Sequence, residues 1–216
     1  MDNILGNINT SGIDYNAYSR LINNPDFEES FPNISGDIVE FGTCTGNSAA
    51  VLAEYNRDKI VFTIDHFQGL EETKQGIPQG PGYYSGWEKG AFRLGDPKNP
   101  KVPKTLEEVM KKLKPYPNIT LIIADIHELK DPSHYNIGKI GYVNIDVDIY
   151  EPTVSSLKFT DRCEWNEIFI RFDDWHGHNP LFDKHERTAF KEWIEEKGYE
   201  YTILFGGDMG GVVVKR

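Results

Sequence analysis

The sequence predicts an α/β fold: a doubly wound, mostly parallel sheet of seven strands that ends in an antiparallel hairpin strand. Three observations carry that prediction. Short apolar runs recur along the 216-residue chain, amphipathic segments separate them, and the last two runs are joined by a turn too short to hold a helix. Continuous apolar runs suit strands covered on both faces, and strand, helix, strand in repeated order gives a parallel sheet wound by helices.

The runs are DIVEF (37–41), KIVFTID (59–65), ITLIIAD (119–125), IGYVNID (140–146), EIFIRFDD (167–174), YTILF (201–205) and GVVVKR (211–216). Helical patterns lie between them. NSAAVLAEYNR (47–57) opens with Asn47 or Ser48 as a cap, and TLEEVMKKLK (105–114) sets Thr105 three residues before Glu108, the capping-box spacing. A further helix begins near Pro152, and DKHERTAFKEWIEEKG (183–198) runs from an acidic start to Gly198 as its C-cap. The turn GGDMG joins the last two strands as a hairpin. The order is that of a Rossmann-like fold, expected as a single domain over 1–216. Residues 1–36, polar and Asn-rich, are expected to cap the sheet. Residues 68–104 are dense in Gly, Pro and aromatics, Tyr83, Tyr84 and Trp87 among them, and are expected to form a lid.

A net charge of −11 argues against a nucleic-acid partner, because that affinity comes mainly from Lys and Arg neutralising phosphates. The two cysteines, Cys44 and Cys163, lie far apart without metal-ligand spacing, so neither a disulfide framework nor a zinc site is indicated. The first residues lack the basic start and apolar core of a signal peptide, and no run is long enough to span a membrane. A soluble, cytoplasmic protein is expected, with Asn33 and Asn118 as chance glycosylation sequons.

DIVEFGTCTGNSAAVLAE is a strand, a glycine-bearing turn and a helix start, a shape that lets a ligand approach backbone N–H groups. Glu40 sharpens the reading. A carboxylate at this strand end would repel a dinucleotide's pyrophosphate, whereas S-adenosyl-L-methionine presents a sulfonium and an ammonium and no phosphate. The second strand ends at Asp65, where such folds hydrogen-bond ribose hydroxyls, and the third ends at Asp125, placed to accept from an adenine amino group. Each acid alone is also what a surface or capping carboxylate looks like; acids ending three successive strands point to one ligand beyond the sheet. The expected cofactor set is Glu40, Gly42, Thr43, Gly46, Asn47, Ser48, Asp65, His66, Asp125 and Ile126.

Asp146 ends the fourth strand, and Asp173 and Asp174 end the fifth. Like charges on neighbouring strand ends raise one another's pKa unless a cation intervenes, and an all-oxygen set suits Mg²⁺ or another hard divalent ion. The competing reading makes Asp173 and Asp174 turn caps and pairs Asp146 with a Lys or Arg. Asp148 is expected to cap the next helix or support the metal ligands from behind. His176 and His178 flank Gly177 and are ligands, a base or plain loop residues, with His176 the nearer candidate.

With these stretches in view, the chain resembles the class I S-adenosylmethionine-dependent methyltransferases, in particular the macrocin O-methyltransferase family. The resemblance rests on IVEFGTCTGNS, TIDHFQGLEE, NIDVDIYEPTVSSL, and FDDWHGHNP followed by AFKEWIE, spanning roughly residues 36 to 197. It implies a Mg²⁺-dependent O-methyltransferase acting on hydroxyls of sugars or natural products. Asp146, Asp173 and Asp174 match the family's metal ligands, Asp146 also its proposed base, and Glu40, Gly42 and Asp65 its cofactor contacts. The chain departs from the family in lacking a Gly-Gly turn before the fifth strand and in its aromatic insert at 80–92.

The expected function is therefore methyl transfer to a small-molecule hydroxyl acceptor, with Asp146 or His176 as base, no membrane partner, and a homodimer left open as the assembly. Two rivals stand beside it. One is a metal-dependent phosphohydrolase, for which the strand ends supply only Arg171 to hold a phosphate. The other is a non-catalytic binding module on the same fold.

Overall fold

Alternating apolar runs and capped helical segments produce β1 (Asp37–Phe41), α1 (Asn47–Tyr55), β2 (Val61–Asp65), α2 (Leu106–Leu113), β3 (Ile119–Ile123), β4 (Ile140–Ile145), α3 (Tyr150–Arg162), β5 (Glu167–Phe172), α4 (Glu186–Lys197), β6 (Glu200–Gly206) and β7 (Gly210–Lys215). The computed structural model describes residues 35–76, 87–175, 184–206 and 209–216. Most of the expected N-terminal cap, the sequon at Asn33, Tyr83, Tyr84, His176 and His178 lie outside the described residues.

The strands form one sheet in the order β3-β2-β1-β4-β5-β7-β6. β1 to β5 are parallel, while β7 runs antiparallel to both β5 and β6, as the short last turn requires. The chain steps outward from β1 to β3, then returns to lay β4 on the other side of β1. That reversal opens a crevice beyond the carboxyl ends of β1 and β4, the place where ligands bind in open α/β sheets.

Burial explains the continuous apolar runs. β4 is buried at all six positions, and Ile38, Phe41, Ile64, Tyr142, Ile145, Ile170 and Phe172 have no exposed surface. Against β5, α4 completes an aromatic cluster in which Phe190 meets Phe172 at 5.5 Å and Trp175 at 5.4 Å, and Trp193 meets Tyr199 at 5.3 Å. A Cβ on Gly210 would stand 2.3 Å from the Trp175 indole, so glycine lets β7 pass under that ring.

Several boundaries differ from expectation for identifiable reasons. The third, fourth and fifth strands stop at Ile123, Ile145 and Phe172, leaving Asp125, Asp146, Asp173 and Asp174 just past the ladder. α1 has no side-chain cap; its N-cap is Gly46, left-handed at φ 74°, and the Asn47 amide oxygen accepts from Lys112 Nζ at 2.8 Å instead. α2 is capped as expected, the Thr105 hydroxyl accepting from Glu108 N, while the Glu108 carboxylate reaches back to Lys104 N at 2.7 Å. α3 begins at Tyr150, placing Pro152 inside the first turn, where a missing N–H costs nothing.

The described parts of 68–104 are pinned. Leu70 N donates to Ala91 O at 2.8 Å, Gly90 N to Leu70 O at 2.7 Å, and the Asp96 carboxylate accepts from Phe92 N and Lys98 N. No helix of the described residues is long and apolar enough to cross a membrane.

Candidate active site

A cavity of about 400 Å³ occupies the crevice. At one end lies the turn after β1: Gly42, Thr43, Cys44 and Thr45, then Asn47 and Ser48 of α1. Gly42 sits at φ 95°, and a Cβ there would lie 1.8 Å from the Asp146 carbonyl oxygen. Only glycine lets the loops leaving β1 and β4 touch.

Asp65 fixes this turn from β2. Its Oδ2 accepts from Cys44 N at 2.8 Å and its Oδ1 from Phe67 N at 2.7 Å, leaving further lone pairs facing the cavity. Asp125 caps the short turn Ile126–Glu128 by accepting from His127 N at 2.9 Å. Of the predicted cofactor residues, Gly42, Thr43, Asn47, Ser48, Asp65, His66, Asp125 and Ile126 line the cavity. Two do not. Glu40 is wholly buried, accepting from Thr63 at 2.6 Å and Asn144 at 3.0 Å. Burial pushes its pKa up, and hydrogen bonds from Ser48, Thr63 and Asn144 oppose the rise. Gly46 faces Leu113 of α2. Glu40 thus acts from beneath the turn.

The other end of the cavity is acidic. Carboxylate oxygens of Asp146, Asp148 and Asp174 lie within 4.8 Å of one another. Asp148 reaches this group because Ile149 N donates to Val147 O at 2.6 Å, closing a γ-turn around Asp148 at φ 62°. A non-glycine residue held in that region is strained, and such strain concentrates at functional sites. Glu186, the first residue of α4, lies behind the group and accepts from Asp174 N at 3.0 Å and Val147 N at 3.4 Å. Asp173, adjacent in sequence to Asp174, lines the same cavity and pairs with Arg171. The structure therefore joins Asp146 and Asp174 as expected, adds Asp148, and gives Asp173 a partner in Arg171.

Burial and mutual repulsion load this end. Burial first, then the charges of Asp173 and Asp148, hold the Asp146 carboxyl well above its usual range. Burial and the charge of Asp173 bring Asp148 to about 7, against a hydrogen bond with Asp174. Asp174 is raised by burial and by Asp148, and Glu186 chiefly by burial. Among the described cavity residues Arg171 is the one guanidinium, and no lysine is present. Three clustered carboxylates that, among the described cavity residues, face no cation but Arg171 form an all-oxygen donor set that fits a hard divalent cation.

The walls between the two ends include Leu70, Trp87, Phe92, Ile149 and Pro152. Trp87 packs edge-on to His185, whose Nε2 lies 3.1 Å from Gly76 O, so the insert is tied to the start of α4. His127 bridges Glu71 at 2.8 Å and Ser155 at 2.7 Å across the cavity's rim. Nothing in the local sequence marks Glu186 or His127 as site residues. Asp148 was visible in the Asp-x-Asp motif, but its direction depends on a backbone angle the motif does not encode.

No family model matches the sequence, and no curated protein matches it. Solved structures do. The O-methyltransferase NovP aligns with a TM-score of 0.64 at 20 % identity, over 92 % of this chain and 79 % of that one. CalS11, a calicheamicin methyltransferase, aligns with a TM-score of 0.65 at 16 % identity, over 94 % and 80 %. The N-terminal domain of EvdMO1, solved with SAH bound, aligns with a TM-score of 0.52 at 14 % identity, over 94 % and 81 %. With its switch-point cavity and terminal antiparallel hairpin, this chain has the Rossmann-like fold of the O-methyltransferases NovP and CalS11.

Proposed function

We propose that the protein is an S-adenosylmethionine-dependent, divalent-metal-dependent O-methyltransferase whose acceptor is a hydroxyl of a small molecule, a sugar or natural product. The observation that carries the reading is one cavity with two chemically distinct ends, a turn and acids suited to an adenosine at one and a carboxylate cluster at the other. The likeness in fold to NovP and to CalS11, a TDP-rhamnose 3'-O-methyltransferase, supports it.

In this reading Asp65 accepts from ribose hydroxyls with the lone pairs its backbone partners leave over, and Asp125 and Ile126 border the adenine. Gly42 and Thr43 face the amino-acid portion of the cofactor, with Glu40 holding the turn from below. S-adenosylmethionine supplies a methyl group already activated on a sulfonium. Asp146, Asp148 and Asp174 would hold a divalent cation, which when bound would supply Lewis-acid chemistry, lowering the pKa of the acceptor hydroxyl. The remaining work is positioning, which can account for much of such a barrier. Asp146, at the carboxylate end of the cavity, is one candidate to take the hydroxyl proton, and His176 is the other. Trp87, Phe92 and Leu70 exclude water from the acceptor's side. A phosphohydrolase would need a cation free for phosphate, and Arg171 is committed to Asp173 and Asn144. The same proposal takes the protein as cytoplasmic and as a homodimer, the latter checked by sedimentation.

Calorimetry with S-adenosylmethionine and a methyl-transfer assay on glycosidic and polyol acceptors test the reading. Micromolar binding and Mg²⁺-dependent transfer abolished by EDTA are the expected results. Absence of cofactor binding would sink it, and full activity in excess EDTA would remove the metal.

A further inference from the structure

Tyr150 and Glu151 open α3 directly after the acidic loop, and their side chains reach different neighbours. The Tyr150 hydroxyl donates to Glu192 Oε2 of α4. Glu151 reaches the insert: its Oε1 accepts from Lys74 N at 2.9 Å, across 77 positions of sequence. Burial raises the Glu151 pKa, yet the N–H of Lys74, its own N–H and the Thr73 hydroxyl together hold the carboxyl below its ordinary value. It is therefore ionised at neutral pH.

Two more side chains fasten the same stretch, residues 71–76. His127, in the turn after β3, brings Nε2 to 2.8 Å from Glu71 Oε1. His185, wholly buried ahead of α4, brings Nε2 to 3.1 Å from Gly76 O. A carbonyl only accepts, so this nitrogen carries the proton, and burial keeps the ring neutral. The stretch continues from Leu70, which lines the cavity and pairs with Gly90 and Ala91 beside the wall residue Phe92. On the facing side, Ile149 and Pro152 flank Tyr150 and Glu151 and line the cavity too. Glu151 thus joins the end of the acidic loop to the wall of the insert.

We propose that Glu151 is a positioning residue for the acceptor: its carboxylate fastens residues 71–76 to α3 and so sets the distance between the insert's wall and the carboxylate cluster. This rests on the methyltransferase reading above, because the wall matters to turnover only if the acceptor binds against it. Contacts along the acceptor's body, remote from the reacting hydroxyl, act equally on the bound and reacting states, so a loosened wall raises KM and spares kcat. A purely structural role is the rival. A carboxylate in the first turn of a helix favours the helix dipole and stabilises α3 whatever the insert does.

The test compares Glu151→Leu, which removes the acceptor oxygens, with Glu151→Gln, which keeps one at the same reach. Hydrogen–deuterium exchange of the full chain is read peptide by peptide, with no ligand required. Glu151→Leu is expected to speed exchange within 70–76 by about tenfold or more while β1, β4 and β5 stay within about twofold, and Glu151→Gln to return it to within about threefold of native. In the methyl-transfer assay, with the best of the glycosides and polyols as acceptor, Glu151→Leu raises acceptor KM by about tenfold, with kcat and S-adenosylmethionine affinity within about twofold. Exchange at 70–76 that is unaltered in Glu151→Leu, or faster everywhere in step with a lower melting temperature, overturns the inference and leaves methyl transfer standing. A fall in kcat with KM unchanged does the same. If Glu151→Leu does not fold, Lys74→Pro removes the N–H from the insert's side of the same bond, and an acceptor KM within about twofold of native then overturns the inference. A native chain that binds no S-adenosylmethionine overturns the methyltransferase reading, and the inference with it.

Discussion

Gly42 and Asp148 shape the site through their backbones. At Gly42, a methyl group would meet the Asp146 carbonyl at 1.8 Å, so Gly42→Ala must push the β1 and β4 loops apart. The expected cost is at least about 2 kcal/mol, read from the urea midpoint, with cofactor affinity falling alongside. Asp148 holds its carboxylate in the acidic group only because its backbone turns left-handed at φ 62°. Asn tolerates that conformation and carries no charge. Asp148→Asn is therefore expected to stabilise the metal-free protein by about 1 kcal/mol, through relief of like-charge repulsion, while abolishing metal-dependent transfer. Thermal unfolding in EDTA checks the first half; an unchanged or lower midpoint would show that repulsion is not what loads the site. That Asp146 and Asp174 share a group was legible from their places at strand ends. That Asp148 joins them was not, because one φ angle decides its direction.

At the scale of elements, α4 does two jobs. Its N-terminal residue Glu186 accepts from the backbone of both acidic loops, and its apolar face supplies Phe190 and Trp193 to the cluster over β5. Trp193 is 5 % exposed and packs against Trp165, Phe190 and Tyr199. Trp193→Ala is expected to cost about 3–5 kcal/mol, measured by chemical denaturation. A cost under about 1 kcal/mol would mean the cluster collapses around the gap. The sequence marked α4 as a helix through its apolar spacing and Gly198. It did not mark Glu186 as a buried partner of Asp174, since the two residues meet only when α4 packs back onto the sheet.

For the whole molecule, the acidic cluster ties stability to pH. In the unfolded chain the aspartates ionise near 3.8 and Glu186 near 4.5, whereas folding raises Asp146, Asp148, Asp174 and Glu186, Asp148 to about 7. The folded state therefore holds more protons than the unfolded one across that window. Stability of the metal-free protein is present below the unfolded values and is lost as pH rises through the folded ones, from about 4 to about 7 and beyond. A divalent cation binds the ionised form, so its stabilising effect grows over the same range. Melting temperatures at about pH 5.5 and pH 7.5, in EDTA and in Mg²⁺, are expected to show the larger Mg²⁺ shift at the higher pH. Equal shifts at both would contradict a carboxylate site.

The sequence by itself determined the seven-strand order of apolar runs, the terminal hairpin, the turn after β1 and the acids at the carboxyl ends of the strands. These follow from local rules, periodicity, capping and turn chemistry, which need no knowledge of distant neighbours. Only the tertiary structure decided how those acids are partnered. Sheet register set Arg171 beside Asn144 and so beside Asp173, a left-handed turn brought Asp148 to Asp146 and Asp174, and helix packing placed Glu186 behind them. A carboxylate's partner depends on direction as well as position, and direction is fixed only when strands far apart in sequence are laid side by side.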